Sequence, residues 1–217
     1  AELMREFGKC IYIQDESSML VADILNPQPG ETVLDLCSAP GGKTTHLAQK
    51  MANQGKIIAG DIHEHKLALI KSNVKRLGIN IVETRLQDAT VQVPELVGSA
   101  DRVLVDAPCS GLGVLGRRPE ARWNKEEKKL SQFPPLQKKI LANAATYVKP
   151  GGYLVYSTCT LEQDENTRVV AAFLQGHPDF AKVGFKHPLT GEVVDELQLL
   201  PQRDNIDGFY ICLLQKK

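Results

Sequence analysis

The sequence has no Cys-x-x-Cys pair, no long apolar run and no excess of either charge, and each absence removes a class of protein. Five cysteines (Cys10, Cys37, Cys109, Cys159, Cys212) are an odd number at wide spacing, which argues against a disulfide framework or a zinc site and for thiols kept reduced. No window approaches the roughly 20 uninterrupted apolar residues of a membrane span, and Ala1-Glu2-Leu3-Met4-Arg5-Glu6 lacks the apolar core of a signal peptide. A cytoplasmic chain with no membrane partner is expected. Lys+Arg and Asp+Glu both number 26, so any attraction to nucleic acid must reside in a local patch. His63 and His65 flank Glu64 without a fourth ligand, which reads as the start of a surface helix and not as a metal site.

What is present is enough for one sizeable core: 217 residues, 42% of them hydrophobic. The central stretch is Val33-Leu34-Asp35-Leu36-Cys37-Ser38-Ala39-Pro40-Gly41-Gly42-Lys43-Thr44, an apolar strand ending in an acid, a Gly-rich turn and a helix start. Its two glycines are expected to let the backbone approach a ligand. Before it, a helix over 16–25 with Leu20, Val21, Ile24 and Leu25 on one face ends at Asn26-Pro27. Further strands are expected at 56–61, 81–86, 101–106 and 152–157. Helices are expected from about Glu64 to Gly78, over 135–148 with Leu136, Ile140, Leu141 and Ala144 inward, and over 162–174. Three closing strands at 180–185, 197–200 and 208–214 lack intervening helices. The fold class is therefore α/β, a doubly wound Rossmann-like and mostly parallel sheet with an antiparallel C-terminal edge. Residues 1–30 read as a short lead-in and helix packed on a catalytic domain at 31–217.

Gly42-Lys43-Thr44 ends like a P-loop, but that motif needs a glycine where Cys37 stands, and no Gly-x-Gly-x-x-Gly dinucleotide loop is present either. Asp61, some twenty residues after the glycines, stands where an acid takes two ribose hydroxyls, and Asp88 stands where one could accept from an adenine amino group. Asp35, Asp61 and Asp88 at one sheet edge would repel a polyphosphate and suit a cationic, phosphate-free cofactor such as S-adenosylmethionine.

Two thiols follow strand ends, in Asp106-Ala107-Pro108-Cys109-Ser110-Gly111 and in Ser157-Thr158-Cys159-Thr160. A thiol beside a methyl donor suits methylation of carbon-5 of a pyrimidine, because that carbon becomes nucleophilic only after a thiolate adds to carbon-6. Lowering a thiol from about pKa 8.5 to about 7 favours its ionised form by roughly 2 kcal/mol; the residues alone leave open which thiol is lowered. Asp106 is the candidate carboxyl for ring nitrogen-3.

With these motifs, together with Tyr12-Ile13-Gln14-Asp15 and Asp207-Gly208-Phe209-Tyr210, the chain resembles the RNA 5-methylcytosine methyltransferase family from about Gly8 onward. The resemblance implies the S-adenosylmethionine-dependent methyltransferase fold. It implies Cys159 as nucleophile and Cys109 as the residue that assists later steps, including release of RNA. It further implies cofactor binding by Cys37, Ser38, Ala39, Pro40, Gly41, Gly42, Lys43, Asp61, Asp88 and Asp106. DNA cytosine methyltransferases use the Pro-Cys thiol instead. The N-terminal helical RNA-binding domain that bacterial ribosomal members commonly carry is missing here, and the first residue is Ala, as in a piece of a longer protein.

Arg117, Arg118 and Arg122, with nearby lysines and Trp123, form a local basic stretch that could hold phosphates and stack a base. The expected partner is RNA, ribosomal RNA ahead of transfer RNA, acted on by a monomer. A nucleotide hydrolase built on Lys43 and a non-catalytic RNA-binding subunit are the alternatives from other classes.

Overall fold

Largely apolar runs, with the more polar β3 at the sheet's edge, form the parallel strands: β1 (Thr32–Asp35), β2 (Lys56–Asp61), β3 (Val82–Leu86), β4 (Ala100–Asp106) and β5 (Val148–Thr158). The computed structural model describes residues 6–117 and 130–217. Before, between and after these strands lie α1 (Glu16–Leu25), α2 (Gly42–Lys50), α3 (Glu64–Arg76), α4 (Phe133–Tyr147) and α5 (Thr167–Gly176). The tail adds β6 (Phe180–Lys182), β7 (Phe185–Lys186), β8 (Val193–Val194), β9 (Leu197–Leu199), α6 (Pro201–Asp204) and β10 (Phe209–Lys216). The main sheet runs β3-β2-β1-β4-β5-β10-β6, with β9 also on β10. Pairings among β1 to β5 are parallel, and all those of β10 are antiparallel. The expected fold class is borne out.

Alternation along each buried strand sorts side chains to two faces. Val33, Leu104, Val155 and Ile211 point to α1 and α2, while Leu34, Val103, Leu154 and Tyr210 point to α4 and α5. A Val, Leu or Ile fully removed from water in this way contributes about 1.5–3 kcal/mol. Helix α1 starts where Asp15 Oδ1 accepts from the Ser17 N–H at 2.9 Å and stops where Asn26 takes left-handed dihedrals, as its sequence predicts. Arg102 fastens the lower edge, with Nε and Nη2 on the Glu31 carboxylate at 2.9 and 3.1 Å and Nη1 on the Leu25 carbonyl at 2.8 Å.

Several boundaries depart from the sequence reading. The final α/β helix begins at Thr167, because 163–166 form a turn whose side chains are engaged elsewhere. Leu136 does not face the core: it is 37% exposed and lines the main cavity. Strand β5 starts earlier, at Val148. The stretch 180–185 is two strands in two sheets, since β7 leaves the main sheet to pair with the unexpected β8.

Candidate active site

The strand order reverses between β1 and β4, and in open α/β sheets the crevice at the carboxyl ends of such neighbours is where ligands bind. A cavity of about 690 Å³ lies there, within the size range of small-molecule sites. Cys37, Ala39, Asp61, Asp88, Asp106, Cys109 and Cys159 all line it. Asp61 Oδ1 accepts from the His63 N–H at 2.9 Å, so the acid also shapes the entry to α3. Asp88 Oδ1 accepts from the Thr90 N–H at 2.8 Å and from Thr90 Oγ1 at 2.7 Å, bonds that hold its carboxyl below the usual range. Between them Gln87 lines the cavity with both side-chain polar atoms buried and unpartnered. Two carboxylates and an unsatisfied amide fit a ligand that carries ribose hydroxyls and an exocyclic amine.

The loop after β1 divides into two roles. Cys37 and Ala39 reach the main cavity, whereas Ser38, Pro40, Gly42 and Lys43 line a neighbouring cavity of about 210 Å³ shared with Asp35 and Asp106. Ser38 turns inward, its N–H and Oγ both donating to the Gly60 carbonyl at 2.9 and 2.8 Å. Both glycines are also closely packed: Gly41 takes a φ of 103° and a Cβ on it would stand 3.3 Å from Ile70 Cα, while a Cβ on Gly42, which lines the smaller cavity, would stand 3.0 Å from the Tyr12 ring. Asp35 stands at that neighbouring cavity and not at the main one. It is wholly buried, its Oδ2 accepts from Thr44 Oγ1 at 2.7 Å, and burial raises its pKa to about 7. Burial and the charges of Asp35, Asp106 and Asp61 keep the Cys37 thiol far above its usual range.

Asp106 and Ser157 are register partners at the ends of β4 and β5, and Ser157 Oγ donates to Asp106 Oδ1 at 2.9 Å. Lys43 Nζ lies 2.8 Å from Asp106 Oδ2 and 5.2 Å from the centroid of Phe209. Just beyond the strand ends, Cys109 Sγ and Cys159 Sγ are 3.3 Å apart. Cys109 is held well above the ordinary thiol pKa by that contact first, then by burial and by the charge of Asp106. The other cysteines stand outside this pair: Cys10 is exposed, and Cys212 is buried in β10 with its pKa pushed up to about 12.

The profile of the 16S rRNA methyltransferase RsmB/F family matches residues 22–215. The chain belongs to this family. It is 44% identical over 214 residues to a Bacillus subtilis protein named "Probable ribosomal RNA small subunit methyltransferase B", covering 95% of this chain and 48% of that protein. It is 39% identical over 223 residues to the Homo sapiens 28S rRNA (cytosine(4447)-C(5))-methyltransferase, covering 94% of this chain and 27% of that one. Among solved structures, NSun6 from Pyrococcus horikoshii with SFG, an S-adenosylmethionine analogue, superposes with a TM-score of 0.80 at 33% identity, covering 94% of this chain and 53% of that chain. The chain spans about half the length, or less, of the curated relatives it matches. The RsmB/F family is one of S-adenosylmethionine-dependent methyltransferases, and the family resemblance read from the motifs is borne out.

Of the basic stretch, only Arg117 falls within the described residues of this RsmB/F-family chain; Arg118, Arg122 and Trp123 lie outside them. Arg117 is engaged within the protein, pairing with Asp15 and, at 2.6 Å, with Asp207. It thereby ties the lead-in, the loop after Cys109 and the start of β10 together. Sequence reasoning missed Gln87, whose place immediately before Asp88 at a strand end was the available signal. It also missed the turn at 163–166.

Proposed function

We propose that this chain methylates carbon-5 of a cytosine in RNA, small-subunit ribosomal RNA being the preferred substrate, through a covalent adduct of Cys159 with carbon-6. The observation that carries this reading is the 3.3 Å approach of the two thiols on the wall of the cavity that Asp61 and Asp88 also line. S-adenosylmethionine, held by Asp61, Gln87 and Asp88, supplies an electrophilic methyl group when bound. The chain's own residues prepare the acceptor carbon.

Cys159 Sγ gives up its proton to solvent, and Cys109 Sγ, 3.3 Å away in a contact where either sulfur can donate, stabilises the resulting thiolate with its S–H. Cys159 Sγ then bonds carbon-6 and the displaced ring electrons make carbon-5 a nucleophile. Asp106, fixed by Lys43 and Ser157, faces ring nitrogen-3 of the base. After carbon-5 is methylated it loses its proton to solvent. The electron pair left behind expels Cys159 as the sulfur–carbon bond breaks, a release that Cys109 assists.

The two thiols are separable by trapping. Incubated with 16S ribosomal RNA and S-adenosylmethionine, Cys109→Ser is expected to leave an RNA–protein adduct that survives denaturing electrophoresis, and Cys159→Ser to give neither adduct nor methylation. The reverse pattern would exchange the two roles.

A further inference from the structure

Cys109 and Cys159 lie past the ends of β4 and β5, beyond Asp106 and Ser157, the last residues at which those strands pair with each other. Two consecutive residues of the turn before α5 fasten both loops. Glu165 is 1% exposed, and its Oε2 accepts from the Ser110 N–H at 2.9 Å and from Gln137 Nε2 at 2.8 Å. The same Gln137 nitrogen donates to the Pro108 carbonyl at 3.0 Å. The residues on either side of Cys109 are thus tied to one buried carboxylate, one directly and one through Gln137.

Asn166, fully buried, does the same for Cys159. Its Oδ1 accepts from Thr158 Oγ1 at 2.5 Å, and its Nδ2 donates to the Thr160 carbonyl at 3.0 Å. Ser110 Oγ and Thr160 Oγ1, 2.6 Å apart, join the two loops directly. The turn is itself pinned to β5 by Tyr156, whose hydroxyl donates to the Glu165 carbonyl at 2.6 Å. Glu165 Oε1 is buried without a partner, and a carboxylate so placed stabilises a fold poorly. Its two hydrogen bonds fix the Ser110 backbone and the Gln137 side chain.

We infer that Glu165 and Asn166 are positioning residues that set the separation of the two thiols, one through each cysteine loop. Their value for turnover rests on the cytosine-5 reading above, but the geometric claim does not. Loss of either anchor lets one sulfur drift from the other, and misplacement by about 1 Å costs on the order of 10²-fold in rate.

The test reads the thiols without any RNA. Diamide takes one hydrogen from each of two thiols and leaves a disulfide, and mass spectrometry of the digested protein follows the Cys109–Cys159 crosslink. Glu165→Ala and Asn166→Ala are expected to crosslink about 10-fold more slowly than the wild type, whereas Glu165→Gln, which keeps an acceptor for Ser110 and Gln137, crosslinks at the wild-type rate. Thr158→Val, which removes only the hydroxyl on Asn166, slows crosslinking in the same direction and carries the test if Glu165→Ala does not fold. In methylation assays the alanine variants lose kcat by about 10²-fold with KM for S-adenosylmethionine unchanged. Equal crosslinking rates in all folded variants, or Glu165→Gln behaving as Glu165→Ala, would overturn the inference. Absence of methylation by the wild type alongside the expected crosslinking pattern would overturn the functional reading and leave the positioning role standing.

Discussion

Asp35→Asn tests whether the acid at the end of β1 is an internal strut of the cofactor loop. Burial holds its pKa near 7, against an ordinary value of 3.8, even though Thr44 hydrogen-bonds it. Below the unfolded pKa the carboxyl is protonated in both states and costs nothing. As pH rises from about 4 to 7 the unfolded chain releases this proton while the native chain keeps it, so stability falls with pH, by about 1.4 kcal/mol per unit. Above the folded pKa the penalty levels off at about 4 kcal/mol. Asparagine cannot ionise and has no such slope, although the amide it places in the site adds a pH-independent cost. Urea denaturation of both proteins at pH 5 and pH 8 should therefore show the variant gaining about 2.5 kcal/mol on the wild type across that range. In a domain of this size that is about 5–10 °C in relative Tm. Parallel stability curves would refute the assignment of a buried, proton-holding Asp35.

Other perturbations address the site and its supports. Asp61→Ala should weaken S-adenosylmethionine binding by about 10- to 100-fold in calorimetry, the loss expected for hydrogen bonds to a charged acceptor; unchanged affinity would remove Asp61 from the cofactor site. Gly113→Ala places a Cβ against the Gly208 carbonyl, and because the Gly113 N–H also donates to the Cys159 carbonyl at 3.0 Å, both Tm and methylation rate should fall. Arg117→Ala leaves Asp15 and Asp207 facing each other without their cation. Burial and the charge of Asp15 already raise the Asp207 pKa, so the loss of stability should grow as pH rises and shrink when the medium is acidified, as a pH series of melting curves would show.

Most of the sheet was legible in the sequence because β1, β2 and β4 are short, largely apolar runs ending in an acid, and those ends are ones that meet at the crevice. Asp61, Asp88, Asp106, Cys109 and Cys159 come together for that reason. The loop between Cys37 and Lys43 was less legible, since nothing in one dimension shows that Gly41 packs on Ile70 and Gly42 on Tyr12. Asp35 looked like Asp61, and only the fold shows that Asp35 is wholly buried, bonded by Thr44 and beside the smaller cavity, while Asp61 lines the main one. The helix expected from Glu162 failed at Glu165 and Asn166, whose side chains bond loops more than 50 and about 30 residues away in sequence, at Ser110 and Gln198. Helical periodicity carries no trace of such partners.

Strand β10 lies between β5 and β6 and also pairs with β9. During synthesis the outer edge of β5, which leads into Cys159, stays bare until residues 209–216 have left the ribosome. An open strand edge invites pairing with other chains, and contacts of such long sequence separation form slowly. A chain lacking Phe209–Lys216 would keep the partners of its parallel half and its first thiol loop while leaving the β5 edge open.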